Sequence, residues 1–195
     1  MRSDDRTRLR AVLLERSLRR GDFTLASGAR SSYYVDARTT TMSGIGQVLI
    51  GRLGLAALDD AGWQPHAIGG LTLGADPVAY AIAHAATLEG RQLDAFTVRK
   101  QSKDHGTGRR IEGGLADGAT VVVTEDVVTT GGSALRAIEA LEAAGATVLG
   151  VLAVVDREQG GRDRLEEAGY ALVSLFTASE LLAAQDDGDP ATRTV

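Results

Sequence analysis

The sequence predicts an α/β domain, a mainly parallel central sheet flanked by helices, and two observations carry that prediction. Residues 119–124 ("ATVVVT") and 147–156 ("TVLGVLAVVD") are unbroken apolar, β-branched runs, the composition of strands buried on both faces. Between them, "SALRAIEALEAAGA" puts Leu135, Ile138 and Leu141 on one helical stripe. Strands that alternate with helices build parallel sheets covered on both sides. At 195 residues, with 44% apolar and 24% charged residues, the chain suits one soluble domain with a substantial core.

Taken in order, "MRSDDRTRLRAVLLERSLRR" spaces Leu9, Val12 and Leu13 as one face of a first helix. It is arginine-rich, but Asp4, Asp5 and Glu15 and the lack of a cleavage site argue against a transit peptide. Phe23, Leu25, Tyr33, Tyr34 and Val35 then predict short strands around a turn at Ser27 and Gly28. A helix is expected over 43–60 through Ile45, Leu49, Leu53 and Leu58, followed by a strand at 67–70. Another helix carries Pro77 in its first turn, where the missing N–H costs nothing, and a strand at 93–98 follows. Residues 99–114 read as a polar, glycine-bearing lid loop. Beyond the strand at 119–124, Glu125 and Asp126 are expected to head a loop running to Ser133. The next helix ends at Gly145, a left-handed cap. After the strand at 147–156 come a short helix ("RDRLEEAG"), a strand ("YALVSLF") and a last helix ("ASELLAA"), with a disordered tail over 185–195. No repeat or linker divides the chain, so residues 1–195 form one domain with an N-terminal helix and hood segment over 1–40.

Composition narrows the chemistry. A formal net charge of -5 argues against a general nucleic-acid binder. The chain has no cysteine, which removes disulfides, thiolate zinc sites and cysteine nucleophiles and agrees with a cytoplasmic location. No apolar stretch is long enough to cross a membrane. "GGLTLG" has P-loop glycine spacing, but Ala75 and Asp76 stand where Lys and Ser/Thr belong; "SGIGQVLIG" lacks both a preceding strand and the third glycine of a dinucleotide site.

Two segments remain. "TEDVVTTGGSA" joins a buried strand to a helix N-terminus, and the backbone N–H groups of Thr129, Thr130, Gly131, Gly132 and Ser133 can cradle a phosphate. Adjacent acids would repel a bare phosphate yet can accept hydrogen bonds from sugar hydroxyls, so a phosphorylated sugar suits Glu125 and Asp126. "VRKQSKDHGTGRRIEGG" packs Arg99, Lys100, Lys103, His105, Arg109 and Arg110 into a glycine-hinged stretch, suited to a polyanionic leaving group. His66 and His84 read as structural or surface residues.

"VVVTEDVVTTGGSA" resembles the phosphoribosyl-pyrophosphate motif of type I phosphoribosyltransferases. "FTLASGARSSYYVDAR", "IGGLTLGADPVA", "VRKQSKDHG", "IEG" and "GVLAVVDREQGG" narrow the resemblance to the orotate phosphoribosyltransferase family. The resemblance implies transfer of the 5-phosphoribosyl group from phosphoribosyl pyrophosphate to orotate, giving orotidine 5'-monophosphate and pyrophosphate in pyrimidine synthesis. It implies Mg²⁺ held through substrate with no metal ligand assigned to the protein, and a homodimer whose lid reaches the neighbouring site. Glu125 and Asp126 would hold the ribose hydroxyls, Val127 and Val128 would line the same run, and Thr129 to Ser133 would bind the 5-phosphate. Arg99, Lys100, Lys103 and His105 would bind pyrophosphate, with Lys103, His105 and Asp126 nearest the chemical step. Thr129 and Arg157 would recognise orotate. Of the family's base-stacking aromatic pair this chain keeps Tyr34, with Val35 beside it, and Ala26 stands where many members have lysine. Rival readings are a transferase for another base, which Arg157 disfavours, and a non-catalytic sensor of the same ligand, which the lid cations disfavour.

Overall fold

The computed structural model describes residues 2–24, 28, 30–101 and 110–188. Helix α1 (Arg2–Arg16) is shorter than its pattern suggests, because the next residues serve a strand. The Ser17 hydroxyl is held at 2.6 Å by Thr40 and 3.0 Å by Thr39, and Leu18 turns inward to open β1 (Leu18–Thr24). β1 pairs antiparallel with β2 (Arg30–Val35) in a hairpin that stands apart from the main sheet as the hood. The expected turn at Ser27 lies outside the described residues, apart from Gly28.

A short helix α2 (Arg38–Thr41), which the sequence did not announce, leads into α3 (Gly44–Asp60). The Ser43 hydroxyl caps α3 by accepting from the Gly46 N–H at 3.1 Å. Strand β3 (Ala67–Leu71) follows, then α4 (Ala75–Leu88) and β4 (Asp94–Val98). Gly51 and Gly54 on α3 face α4 so closely that a Cβ would lie 2.5 Å from the Ala81 carbonyl oxygen or from Ile82 Cδ1. The polar stretch then closes with a strand, β5 (Ile111–Gly113), rather than running as loop to Gly114. Next come β6 (Thr120–Val128), α5 (Gly132–Ala143), β7 (Thr147–Asp156), α6 (Gly161–Glu167), β8 (Leu172–Thr177) and α7 (Ala178–Gly188). Helix α7 takes up the first residues of the expected tail; residues 189–195 lie outside the described ones.

The central sheet has the order β5-β4-β3-β6-β7-β8, all parallel except the edge strand β5. One face packs on α1, α3, α4 and α7 through Leu9, Leu13, Leu49, Ile82, Leu152 and Leu181, the other on α5 and α6 through Val121, Val123, Ile138, Leu141 and Leu165. From β3 the chain moves outward to β4 and then returns to the opposite side of β3 as β6, so the strand order reverses between β3 and β6. In open α/β sheets such a reversal leaves a crevice at the carboxyl ends of the two strands.

Candidate active site

The acids of "TEDVV" lie inside β6, not in the loop beyond it as expected, because main-chain pairing with β7 continues to Val128↔Asp156. Successive strand residues point to opposite faces, so the two carboxylates separate. Asp126 turns to the crevice. It meets the loop after β3 so closely that a Cβ on Gly74 would lie 2.5 Å from Asp126 Oδ1. Burial raises the Asp126 carboxyl above its usual range, while hydrogen bonds from backbone N–H groups, including that of Val127, and the charge of Arg38 oppose the rise. Arg38 is itself gripped by Asp36, Nε to Oδ1 at 2.8 Å and Nη2 to Oδ2 at 3.0 Å.

Glu125 is only 5% exposed, and its Oε1 has no hydrogen-bond partner. Desolvation first, and the neighbouring Asp126 charge second, push its carboxyl up to about 8, with Arg136 pulling the other way. A neutral carboxyl can sit beside an anion without repelling it. That removes the conflict the sequence poses between paired acids and a phosphate cradle, because Glu125 lines the same cavity as Val127 to Ala134. The cavity holds about 80 Å³, room for a tetrahedral anion or two to three waters. Gly131 forms the turn with φ 73°, a left-handed value that suits glycine, and the first turn of α5 leaves N–H groups without intrahelical partners. Gly161 supports the turn from α6, where a Cβ would strike the Thr129 carbonyl oxygen at 2.6 Å. Two cations flank it that sequence reasoning missed. Arg136 donates to Ser133 Oγ at 3.2 Å, and Arg164 donates to the Thr130 carbonyl at 3.4 Å. Arg136 could have been found one helical turn beyond Ser133; Arg164 is distant in sequence and gave no signal.

Arg157 follows β7 and is 6% exposed, with Nε and one Nη lacking any partner. Its backbone is fully engaged, the N–H donating to Val128 at 2.9 Å and the carbonyl accepting from the Tyr33 hydroxyl at 3.4 Å. The guanidinium lies 5.2 Å from the centroid of the Tyr33 ring, a cation–π contact. Tyr33, then, is the aromatic residue against Arg157. Tyr34 points to the other face of the hairpin, packs on Phe23 at 5.6 Å between centroids, and stays 37% exposed; Val35 is in the core.

At the foot of the basic stretch, the Arg99 N–H donates to the Arg110 carbonyl at 2.7 Å, and the Arg99 side chain lies 3.4 Å from Glu112. Lys100 is exposed beside it. Lys103, His105 and Arg109 lie outside the described residues. Among the described residues no group of three His, Cys, Asp or Glu could hold a metal ion, and no helix is long and apolar enough to cross a membrane.

Residues 47–169 match the phosphoribosyl transferase domain family. Orotate phosphoribosyltransferase of Aquifex aeolicus is 48% identical over 181 residues, covering 91% of this chain and 98% of that protein. The chain belongs to the orotate phosphoribosyltransferase family. The corresponding Thermosynechococcus vestitus protein is 46% identical, over 93% of this chain and 95% of its own length. Among solved structures, the Mycobacterium tuberculosis orotate phosphoribosyltransferase in complex with 5-phospho-alpha-D-ribosyl 1-diphosphate superimposes with a TM-score of 0.77 at 42% identity, covering 91% of this chain and 98% of that one. The type I phosphoribosyltransferase fold expected from the sequence is therefore present.

Proposed function

We propose that the protein transfers the 5-phosphoribosyl group of phosphoribosyl pyrophosphate to N1 of orotate, releasing pyrophosphate and forming orotidine 5'-monophosphate for pyrimidine biosynthesis. The observation that carries the choice of base is Arg157, a buried guanidinium with two unmatched nitrogens. Its forked geometry fits a carboxylate, and orotate carries one where uracil does not.

The donor's 5-phosphate occupies the α5 N-terminus between Thr129 and Ser133, with Arg136 and Arg164 adding positive charge. Asp126 accepts from a ribose hydroxyl across the crevice, and neutral Glu125 offers an O–H or accepts in turn. Arg99 and Lys100, with Lys103 and His105 from the lid, neutralise the pyrophosphate. As the C1–O bond breaks, its electron pair leaves with pyrophosphate and the ribosyl centre gains oxocarbenium character. N1 of orotate, held by Arg157 and Thr129 with Tyr33 at the hood, then forms the new bond and loses its proton, which the departing pyrophosphate can accept. Rate acceleration on this reading comes from positioning and leaving-group electrostatics. Mg²⁺ fits here, since it commonly binds through one or two carboxylates together with substrate phosphates: substrate oxygens would supply most of its ligands, with Asp126 the carboxylate that faces the crevice. When bound it would neutralise pyrophosphate charge.

A homodimer belongs to the same reading. Met42, Val48, Leu73 and Tyr80 are each about half exposed, and the Gln47 amide ties α3 to the Pro77 carbonyl between them at 2.8 Å, so α3 and the β3–α4 region offer apolar surface near the crevice to a second copy. The protein is placed in the cytoplasm, acting on small molecules without nucleic acid or membrane.

An absorbance assay with phosphoribosyl pyrophosphate and Mg²⁺ tests the proposal. Orotate is expected to be consumed and uracil left nearly untouched; equal turnover of uracil would remove the role given to Arg157.

A further inference from the structure

The turn that presents Arg157 is held more firmly than its length requires. Asp156, 1% exposed, accepts from the Glu158 N–H at 2.9 Å and is paired with Arg162 at 3.1 Å. Glu158 adopts φ 57°, a left-handed conformation unfavourable for a side chain of its kind, so something must hold it there. Its carboxylate supplies the hold. Oε2 accepts from the Ser179 N–H at 2.7 Å and Oε1 from the Ser179 hydroxyl at 3.0 Å, at the N-terminus of α7.

Helix α7 also has a cap within its own chain segment, Thr177 Oγ1 accepting from the Glu180 N–H at 3.2 Å. What the contact does is fasten the β7–α6 turn to α7. The other end of α7 is fastened to the hood, Arg20 Nε donating to Gln185 Oε1 at 2.9 Å, and the hood carries Tyr33 against the Arg157 guanidinium. Arg157 thus sits inside a closed frame of β2, the β7–α6 turn and α7, with Glu158 as the joint between the last two.

We propose that Glu158 is a positioning residue for recognition of the acceptor's carboxylate: by locking the turn onto α7, it fixes the Arg157 guanidinium at the angle that receives the carboxylate. The proposal rests on the reading of Arg157 as the orotate-binding arginine. It concerns geometry at the acceptor end of the crevice and leaves the donor end, at Gly74, Asp126 and the α5 N-terminus, untouched.

The test is steady-state kinetics on folded, full-length variants. Glu158→Ala and Glu158→Gly both lose the carboxylate, but glycine also relieves the left-handed backbone. Both are expected to raise KM for orotate on the order of tenfold, with KM for phosphoribosyl pyrophosphate changed by less than about twofold. Glu158→Gln retains an acceptor for the Ser179 N–H and a donor to its hydroxyl, and should restore orotate KM to within about twofold of wild type. Ser179→Pro severs the contact from the α7 side, at a first-turn position where proline is tolerated, and should reproduce the rise without altering Glu158. A rise in Glu158→Ala that is absent from Glu158→Gly would assign the effect to backbone strain and overturn the proposal. So would a parallel rise in both KM values, an unchanged orotate KM in Ser179→Pro, or a Gln variant as impaired as Gly. Wild-type protein that fails to turn over orotate defeats the functional reading itself, which is a separate result.

Discussion

Glu125 illustrates how one residue's environment sets its chemistry. In the unfolded chain its carboxyl titrates near 4.5; folded, burial moves it to about 8. The raised value means that the folded state binds the proton more tightly. The stabilisation linked to that proton is complete below pH 4.5, declines as pH rises and is gone above about 8. Replacing Glu125 by Gln removes the linkage. The stability of Glu125→Gln relative to wild type should therefore grow between pH 4.5 and 8, by roughly 3 to 5 kcal/mol for a group this buried. Denaturant melts across that range measure it, and parallel pH profiles for the two proteins would show that Glu125 ionises normally. Legibility at this scale was uneven. Glu125 and Asp126 could be picked out because acids have no reason to end an apolar run, whereas Arg157 was singled out only by the family resemblance. Tyr33 and Arg164 could not, since which of two adjacent tyrosines faces a guanidinium depends on hairpin register, and the placing of α6 beside Thr130 depends on packing.

At the level of elements, the junction of the β3–α4 loop with β6 is the contact on which the crevice depends. Loop and strand approach so closely that only a glycine fits at 74, and the obstacle to any larger residue is the carboxylate of Asp126 itself. A carboxylate is the movable end of a side chain, so the collision is relieved by pushing Asp126 aside. Gly74→Ala should accordingly fold and melt near wild type, yet lose on the order of 10²-fold in kcat/KM through displacement of a positioned acid. Circular dichroism melts together with kinetics check both halves, and a variant with wild-type kcat/KM would mean that Asp126 has no fixed role. Most elements were legible from periodicity and capping: the apolar stripe Ile45, Leu49, Leu53 and Leu58 of α3, Gly145 after α5, and the run 147–156 that forms β7 end to end. The exceptions share a cause. The acids at 125 and 126 were read as ending β6, but β7 continues alongside and supplies main-chain partners through Val128, and Ile111–Gly113 becomes a strand only because β4 offers it an edge. Partners distant in sequence decided these boundaries, and local pattern cannot report them.

For the whole molecule, the remaining question is whether one chain contains a complete site. The acids lie in the central sheet and the phosphate turn follows them, whereas the basic stretch leaves β4 at Arg99 and Lys100, next to the edge strand β5 and just past Thr97, which the exposed Tyr80 reaches at 3.0 Å. If the lid serves the neighbouring subunit, Lys103 acts in one site and Asp126 of its own chain in the other. Homodimers of Lys103→Ala and of Asp126→Asn should then each be nearly inactive. A mixed dimer gathers both lesions in one site and leaves the second with an intact acid and an intact lid. Refolding the two variants together in equal amounts makes half of the dimers hybrid, each with one working site of two, so activity should recover to about a quarter of wild type in a closed two-fold dimer. Tag pull-down establishes that hybrids have formed, and a hybrid-containing mixture no more active than the mean of its parents would show that each lid closes over the site of its own chain.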